Sequence, residues 1–190
     1  MPNPTLQPLP PGLTGEIQDP VRWAKALYER HRDGIILDAL SRDRYGRAFE
    51  VACGRGALTS QLARRCDDVL AIDLCAPTLQ QAKERCVEFP HVRLETGDLR
   101  TALPDGPFDL IVFSEVGYDF TADELRLVAH GLGDRIAPGG EFVAVHRLRP
   151  PSERRLDGDV VHGILAAALP LQRLLSKHYP GFRLETWHRG

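Results

Sequence analysis

The stretch Glu50-Val51-Ala52-Cys53-Gly54-Arg55-Gly56 decides the fold of this 190-residue chain. Residues 48–52 are predicted to form a buried strand, and residues 57–65 a helix. Gly54 and Gly56 lack Cβ atoms, so the backbone between strand and helix can turn sharply and approach a ligand closely. A G-x-G pattern on its own is equally consistent with a structural tight turn.

The chain after this turn continues to alternate between strand and helix. Further strands are predicted at 69–72, 92–95, 108–113 and 142–145, and further helices at 77–86, from the Thr121–Glu124 capping box to before Pro138, and at 159–168. Segments 171–179 and 182–188 flank Pro180-Gly181 and predict an antiparallel hairpin. We therefore predict an α/β fold: a Rossmann-like, doubly wound, seven-stranded and mostly parallel sheet with a C-terminal antiparallel hairpin.

The bulk composition predicts a soluble globular protein. The net charge of −2 offers no positive field that would attract nucleic acid or an acidic membrane surface. The four cysteines form no C-x-x-C pair, which favours a reducing compartment and no metal site. The N-terminus lacks the pattern of a secretory signal, and no apolar run approaches the roughly 20 residues that span a bilayer. We expect a cytoplasmic protein, a monomer or homodimer, without nucleic-acid or membrane partners.

Two acidic residues follow the second and third predicted strands. Asp73, 23 residues after Glu50, can accept hydrogen bonds from both hydroxyls of a ribose, although a solvated strand end or a helix cap is an alternative. Gly97-Asp98-Leu99 places a carboxylate where an adenine amino group could donate to it. Ligands of such sheets bind at the carboxyl ends of the strands, so both carboxylates are predicted to lie in one binding crevice.

The same residues argue against a nicotinamide cofactor. A dinucleotide fingerprint requires G-x-G-x-x-G, but counting from Gly54 gives G-R-G-A-L-T, with Thr59 at the third glycine position. S-adenosylmethionine carries no pyrophosphate and has less need of a bare helix N-terminus. Its ribose and adenine suit a short G-x-G turn and two acidic strand ends.

The chain resembles the class I S-adenosylmethionine-dependent methyltransferases over about residues 47–146. The motifs are E-V-A-C-G-R-G at 50–56, A-I-D-L at 71–74, G-D-L at 97–99, F-D-L-I-V-F-S-E at 108–115 and A-P-G-G at 137–140. Within the family it is most similar to the nodulation protein S type, which N-methylates chito-oligosaccharide precursors, through F-D-L-I-V-F-S-E-V-G-Y at 108–118, the A-P-G-G-x-F-V strand and D-G-D-V-V-H at 157–162. One departure is Ala52, which stands where the family's first glycine usually sits; its methyl group is tolerable if φ is negative.

This resemblance implies a site and a division of the chain. The predicted cofactor-binding residues are Glu50, Ala52, Gly54, Gly56, Asp73, Leu74, Gly97, Asp98, Leu99, Ser114 and Glu115. We predict a flexible N-terminal arm at 1–18 and a single domain at 19–190. That domain comprises a helical cap at 19–42, a cofactor-binding core at 47–146, and an acceptor-side segment with the edge hairpin at 147–190. Asp19-Pro20 is expected to start the cap helix, with a break near Asp33-Gly34.

Methyl transfer is an in-line displacement that depends mainly on holding the acceptor close and collinear, and a base is needed only for a protonated acceptor. The catalytic candidates are Glu115, Tyr118 and His146. Each has a structural alternative: a cap or salt bridge for Glu115, an ordinary half-buried aromatic for Tyr118, and a hydrogen-bonding strand-end histidine for His146. Weaker candidates are His162, Tyr28 and Arg32 near the cofactor or acceptor, and the basic run 147–155 as an acceptor contact or a solvated loop.

The sequence therefore predicts transfer of a methyl group to the N or O of a small molecule, with S-adenosylhomocysteine as the product. The resemblance to the nodulation enzymes suggests an amino sugar or its conjugate as the acceptor. The alternatives are an inactive methyltransferase-like binding protein, and less favoured, a nicotinamide-dependent oxidoreductase. RNA methylation is a further alternative, but the chain lacks a basic extension and an N-P-P-Y-type loop after the fourth strand.

Overall fold

A computed structural model of the chain describes residues 20–149 and 156–190, with side chains described from residue 26 onward. The strands are β1 (Tyr45–Val51), β2 (Cys66–Asp73), β3 (Val92–Thr96), β4 (Phe108–Ser114), β5 (Ile136–Arg147), β6 (Gln172–Tyr179) and β7 (Phe182–His188). The helices are α1 (Pro20–Ala39), α2 (Ala57–Leu62), α3 (Ala76–Arg85), α4 (Ala122–Asp134) and α5 (Gly158–Ala168). The predicted arm at 1–18, the cap at Asp19 and residues 150–155 of the basic run lie outside the described residues.

The chain divides into two compact units, Met1–Asp38 and Ala39–Gly190. Helix α1 accounts for the described part of the first unit and continues through Asp33-Gly34, so the predicted break there is wrong. A single glycine costs a helix only about 1 kcal/mol and keeps its backbone hydrogen bonds, so it lowers helix propensity without ending the helix. The prediction of one domain over 19–190 stays a prediction.

The second unit is built on one seven-stranded sheet in the order β3-β2-β1-β4-β5-β7-β6. The first five strands of this order are parallel, and β7 pairs antiparallel with both β5 and β6. This arrangement confirms the predicted doubly wound, mostly parallel sheet with a C-terminal hairpin. The chain moves outward from β1 to β3 and then returns to β4, so the carboxyl ends of β1 and β4 flank the point where the strand order reverses, where such sheets bind ligands.

The centre of the sheet is apolar because both faces are covered. All of β4 except the half-buried Asp109 is buried, as the run FDLIVF predicted. The α4 helix begins with the predicted capping box: Thr121 Oγ1 accepts from the Glu124 amide (3.3 Å), and Glu124 Oε2 accepts from the Thr121 amide (2.7 Å). Among the described residues, none of the helices combines the length and apolar character that crossing a membrane requires.

Strand β5 is longer than predicted. It begins at Ile136, so Pro138-Gly139-Gly140 lies within the strand rather than before it. The pairing of β4 with β5 shifts register between Phe108 and Leu110, which marks a bulge beside this segment. A bulge accommodates a proline and a left-handed glycine (Gly139, φ 72°) that a regular central strand would exclude.

A buried carboxylate ties β1 to β5 at the opposite end of the sheet from the binding crevice. Glu141 Oε2 accepts hydrogen bonds from the Tyr45 hydroxyl (2.6 Å) and from the hydroxyl and amide of Ser41 (2.8 and 3.2 Å). Burial, reinforced by the Glu141 carboxylate, raises the pKa of Tyr45 to about 12, which keeps the phenol a hydrogen-bond donor at neutral pH.

Replacing Tyr45 by phenylalanine removes one donor from this buried carboxylate. We expect Tyr45→Phe to lower the free energy of unfolding in urea by about 2 kcal/mol, as for other hydrogen bonds to charged groups. Tyr179→Phe, on the half-exposed edge strand, is the matched control and should change stability by less than about 0.5 kcal/mol. Equal effects of the two substitutions would contradict this account of Glu141.

Candidate functional site

The turn after β1 adopts left-handed backbone conformations at three positions. Ala52 has φ 55°, Gly54 φ 55° and Gly56 φ 73°. At Gly56 a Cβ would also meet the Cβ and Cα of Ala82 at 2.9 and 3.0 Å, so α2 and α3 leave no room for a side chain there. The Ala52 methyl group is expected to be tolerated if φ is negative, but φ is positive. The left-handed conformation of Ala52 costs an L-residue about 1–2 kcal/mol.

The carboxylate of Asp73 joins the turn after β1 to the end of β2. Its Oδ2 accepts from the Gly54 amide at 2.8 Å, and its Oδ1 accepts from the Cys75 amide at 2.8 Å. The helix-cap alternative for Asp73 is therefore partly correct, because this side chain also holds the amide of Cys75 directly before α3. Each carboxylate oxygen can accept a second hydrogen bond, so both remain able to receive a donor from a ligand.

A cavity of about 440 Å³ opens at the carboxyl ends of β1, β2 and β3. This volume lies within the range of roughly 300–1,000 Å³ typical of small-molecule sites. The lining residues are Val51, Ala52, Ile72, Asp73, Leu74, Gly97, Asp98, Leu99, Arg100, Val116, Asp119 and Phe120. The cavity thus collects the ends of three neighbouring parallel strands and the segment after β4.

Six of the predicted cofactor-binding residues line this cavity: Ala52, Asp73, Leu74, Gly97, Asp98 and Leu99. The other five predicted residues, Glu50, Gly54, Gly56, Ser114 and Glu115, are not part of its lining. Glu50 is buried at the end of β1, where its charge adds to burial in raising the pKa of the Cys53 and Cys86 thiols. The cofactor roles of all these residues stay predictions.

The Asp98 carboxylate is held by an arginine that sequence reasoning missed. Arg100 Nε lies 2.9 and 3.1 Å from the two Asp98 oxygens, and the Arg100 amide donates to Oδ1 at 3.0 Å. The guanidinium carbon also lies 5.6 Å from the Phe120 ring centroid. The hydrogen bond from the Arg100 side chain lowers the pKa of Asp98, so this carboxylate meets the cavity as a charged acceptor.

Glu115 lies in a strained conformation at the end of β4, with φ 58°. Its Oε1 accepts from the Arg147 amide (2.8 Å), while its Oε2 accepts from the Tyr118 hydroxyl (2.8 Å) and lies 3.1 Å from Arg147 Nε. Two catalytic candidates, Glu115 and Tyr118, are therefore in direct contact. This geometry favours the salt-bridge alternative for Glu115, and the catalytic roles of both residues stay predictions.

His146 lies buried between β4 and α5 rather than at an open surface. Its Nε2 accepts from the Gly117 amide (3.0 Å), and its Nδ1 lies 3.3 Å from His162 Nε2. Both ring nitrogens are thus engaged inside the protein, which favours the hydrogen-bonding alternative over proton transfer to a substrate. His162 is also buried, and its Nδ1 lies 2.8 Å from Glu185 Oε2.

Tyr28 and Arg32 lie on α1 in the first unit, where Arg32 Nη2 pairs with Asp33 Oδ1 at 2.8 Å; a contact of either with a cofactor stays a prediction. Within residues 26–149 and 156–190, no three His, Cys, Asp or Glu side chains are close enough to hold a metal ion together.

An open α/β sheet with a cavity where the strand order reverses is typical of proteins that bind a nucleotide-like cofactor. Comparison with known proteins identifies the family. Residues 48–140 match the Methyltransferase domain family. A crystal structure from Pseudomonas syringae, assigned to the methyltransferases, is 38% identical and superposes with a TM-score of 0.72 over 86% of this chain and 99% of that one. The chain therefore belongs to the class I S-adenosylmethionine-dependent methyltransferases.

Two further relatives are nodulation proteins. Nodulation protein S of Sinorhizobium fredii is 32% identical over 130 residues, which cover 66% of this chain and 59% of that protein. The N-methyltransferase NodS of Bradyrhizobium japonicum, solved in complex with S-adenosylhomocysteine, has a TM-score of 0.78 at 24% identity and covers 90% of this chain and 92% of its own. The chain spans between half and three fifths of the length of the two nodulation proteins S that it matches, from Sinorhizobium fredii and Rhizobium tropici.

The left-handed conformation of Ala52 leads to a stability prediction. Glycine at this position relieves the steric cost but adds freedom to the unfolded chain, so we expect Ala52→Gly to stabilise the protein by about 0.5–1 kcal/mol. The control is Ala166→Gly, at an exposed position inside α5, which should destabilise by about 1 kcal/mol. Urea unfolding measures both, and destabilisation by Ala52→Gly would contradict strain at this position.

Proposed function

We propose that this chain transfers the methyl group of S-adenosylmethionine to the nitrogen, or the oxygen, of a small-molecule acceptor. The observation that carries the proposal is the pair of carboxylates, Asp73 and Asp98, on the wall of one cavity at the carboxyl ends of neighbouring parallel strands. A ligand with a ribose diol and an exocyclic amine at opposite ends of a nucleoside supplies donors to both carboxylates.

The cavity wall also offers apolar side chains that could contact the base of such a nucleoside. Leu74 lies beside Asp73 on the cavity wall with 61% of its surface exposed, so its side chain is accessible to a ligand there. The buried Leu99 contributes a second apolar wall. In this arrangement Asp73 would receive the ribose hydroxyls, Asp98 the adenine amine, and Leu74 and Leu99 would contact the base.

S-adenosylmethionine, when bound, supplies an electrophilic methyl group on a positively charged sulfur. Transfer of that methyl group to a neutral amine would leave S-adenosylhomocysteine and a methylated ammonium, whose proton would pass to solvent. The protein's contribution is to hold the acceptor lone pair close and in line with the methyl group. In this proposal the contacting pair of Glu115 and Tyr118, at the end of β4, would orient that acceptor.

An amine is the acceptor that the similarity to the nodulation proteins favours. The Bradyrhizobium structure is of an N-methyltransferase, and the Sinorhizobium relative is a nodulation protein S. On this basis we propose an amino sugar or a conjugate of one as the acceptor class. The topology speaks against a nicotinamide-dependent oxidoreductase, because the dinucleotide-binding order 3-2-1-4-5-6 is here replaced beyond β5 by the antiparallel β7 and β6.

The cofactor half of the proposal is tested by calorimetry with S-adenosylhomocysteine. We expect micromolar binding to the unaltered chain and about 10- to 100-fold weaker binding to Asp73→Ala, because two hydrogen bonds to a charged group are lost. Asp73→Asn, which retains one carbonyl acceptor and the size of the side chain, should fall between them. Asp67→Ala, at the exposed start of the same strand, is the control and should bind as the unaltered chain does.

The acceptor half is tested with isotopically labelled S-adenosylmethionine and extracts that contain amino sugars. Appearance of label on an amine, dependent on the intact chain, supports the proposal, whereas label on a hydroxyl assigns O-methylation instead. Binding of S-adenosylhomocysteine without transfer to any acceptor would favour the inactive binding protein. Unchanged affinity in Asp73→Ala would mean that the ribose is misplaced.

A further inference from the structure

A single chain of hydrogen bonds crosses the interior from the segment after β4 to the edge hairpin. The Gly117 amide donates to His146 Nε2 (3.0 Å), His146 Nδ1 faces His162 Nε2 (3.3 Å), and His162 Nδ1 faces Glu185 Oε2 (2.8 Å). We name His146, His162 and Glu185 the histidine chain. All three side chains are buried, so water does not compete for these contacts.

The two ends of the histidine chain determine where its protons lie. At one end an amide can only donate, so His146 Nε2 must be the acceptor and its Nδ1 must carry the hydrogen of the neutral ring. That hydrogen points to His162 Nε2, so the His162 hydrogen lies on Nδ1 and is donated to Glu185. Every hydrogen bond in the histidine chain is therefore donated in the same direction, from Gly117 towards Glu185.

The charges at the hairpin end keep this order in place. Glu185 Oε1 accepts from Arg183 Nη2 (2.8 Å) and Arg173 Nη1 (3.1 Å). Burial opposes ionisation of Glu185, but hydrogen bonds from His162, Ser176 and Arg183 outweigh it and lower its pKa to about 2. Burial also lowers the pKa of His162, despite its contact with Glu185, and so favours a neutral ring at pH 7.

At its other end the histidine chain contacts the wall of the cavity. Gly117 follows Val116 and precedes Asp119 and Phe120, all three of which line the cavity. A Cβ at Gly117 would lie 2.4 Å from Val161 Cγ1 and 2.9 Å from His146 Nε2, so the backbone is packed directly on the ring. We name residues 115–120 the β4 loop.

We propose that His146 is a positioning residue that holds the β4 loop in the shape that binds the cofactor, with His162 and Glu185 fixing the tautomer of its ring. This inference rests on the proposed function, because the ligand used to detect it is S-adenosylhomocysteine. The ring acts through the Gly117 amide and does not itself contact the reacting atoms.

An extra proton on either imidazole of the histidine chain breaks the same contact. If His146 is protonated, its Nε2–H faces the Gly117 N–H. If His162 is protonated, both of its nitrogens donate, so His146 must accept at Nδ1 and carry its hydrogen at Nε2, again facing the Gly117 N–H. Two donors then oppose each other at Gly117, and the β4 loop has to move.

Among the described residues, charged, titratable and aromatic groups contact the histidine chain or pair with the residues beside it. They are Phe113 on β4, Tyr118 on the β4 loop, Arg147 with its partner Glu115, Asp159 on α5, Arg183 and Trp187 on β7, and Arg173 and His178 on β6. Arg183 pairs with both Asp159 (3.1 Å) and Glu185 (2.8 Å), so one cation balances charge on both carboxylates.

The first test measures cofactor affinity against pH. We expect the Kd for S-adenosylhomocysteine to stay constant above pH 6.5, the ordinary pKa of histidine, and to rise severalfold as the pH falls below it, because burial lowers the pKa of His162. His146→Gln should bind about tenfold more weakly at pH 7.5 and show a smaller pH dependence, since glutamine does not titrate and only His162 remains to take up a proton. His162→Gln leaves the ring on Gly117 in place but frees its tautomer, and should weaken binding less. His130→Gln, on the exposed face of α4, is the control and should behave as the unaltered chain.

The second test needs no ligand and separates the two proposals. Long-range proton–nitrogen spectra of the unaltered chain should show the Nδ1–H tautomer for both rings, and the Gly117 amide should shift with the same pH midpoint as these rings. If S-adenosylhomocysteine does not bind at any pH, the proposed function fails and this titration alone decides the inference. The positioning role would be overturned by a different tautomer of either ring, or by a Gly117 amide whose chemical shift does not change with pH. It would also be overturned if His146→Gln bound with the affinity and pH profile of the unaltered chain.

Discussion

The hydrogen bond from the Gly54 amide to the Asp73 carboxylate, 2.8 Å long, is the contact on which the site depends. It fastens the left-handed turn after β1 to the end of β2. The second oxygen of the same carboxylate holds the Cys75 amide at the start of α3. A carboxylate in this place can fix two loops and still offer acceptor capacity to a ligand, so the local fold and the proposed chemistry require the same side chain.

The wall of the cavity after β4 is held in a comparable way from the other side. There a series of buried contacts runs from the Glu185 carboxylate through the imidazoles of His162 and His146 to the Gly117 amide. The strain at Glu115, with φ 58°, is retained beside it because Tyr118 and Arg147 both bind that side chain. The cavity is thus shaped by carboxylates that lie on β2, on the β4 loop and on β7.

Most of the fold could be predicted from local sequence patterns, because the apolar run 108–113, the capping box at Thr121 and the turn at Pro180-Gly181 each have a local physical cause. The left-handed φ of Ala52 could not be predicted in this way, since tertiary packing imposes it against the residue's own preference. Nor could the histidine chain, whose members are 16 and 23 residues apart and meet only after the sheet has formed. The contact between Arg100 and Asp98 could have been predicted from the sequence, because an arginine two residues after a carboxylate can fold back onto it.

The central claim is that Asp73 and Asp98 receive the two ends of one adenosine moiety in the cavity that both residues line. The most direct measurement is a crystal structure of the chain with S-adenosylhomocysteine. The account predicts ribose hydroxyls within hydrogen-bond distance of the Asp73 carboxylate, the adenine amine beside Asp98 and the base against Leu74. A ligand bound elsewhere, or an adenosine that leaves Asp73 without a ribose contact, would contradict it.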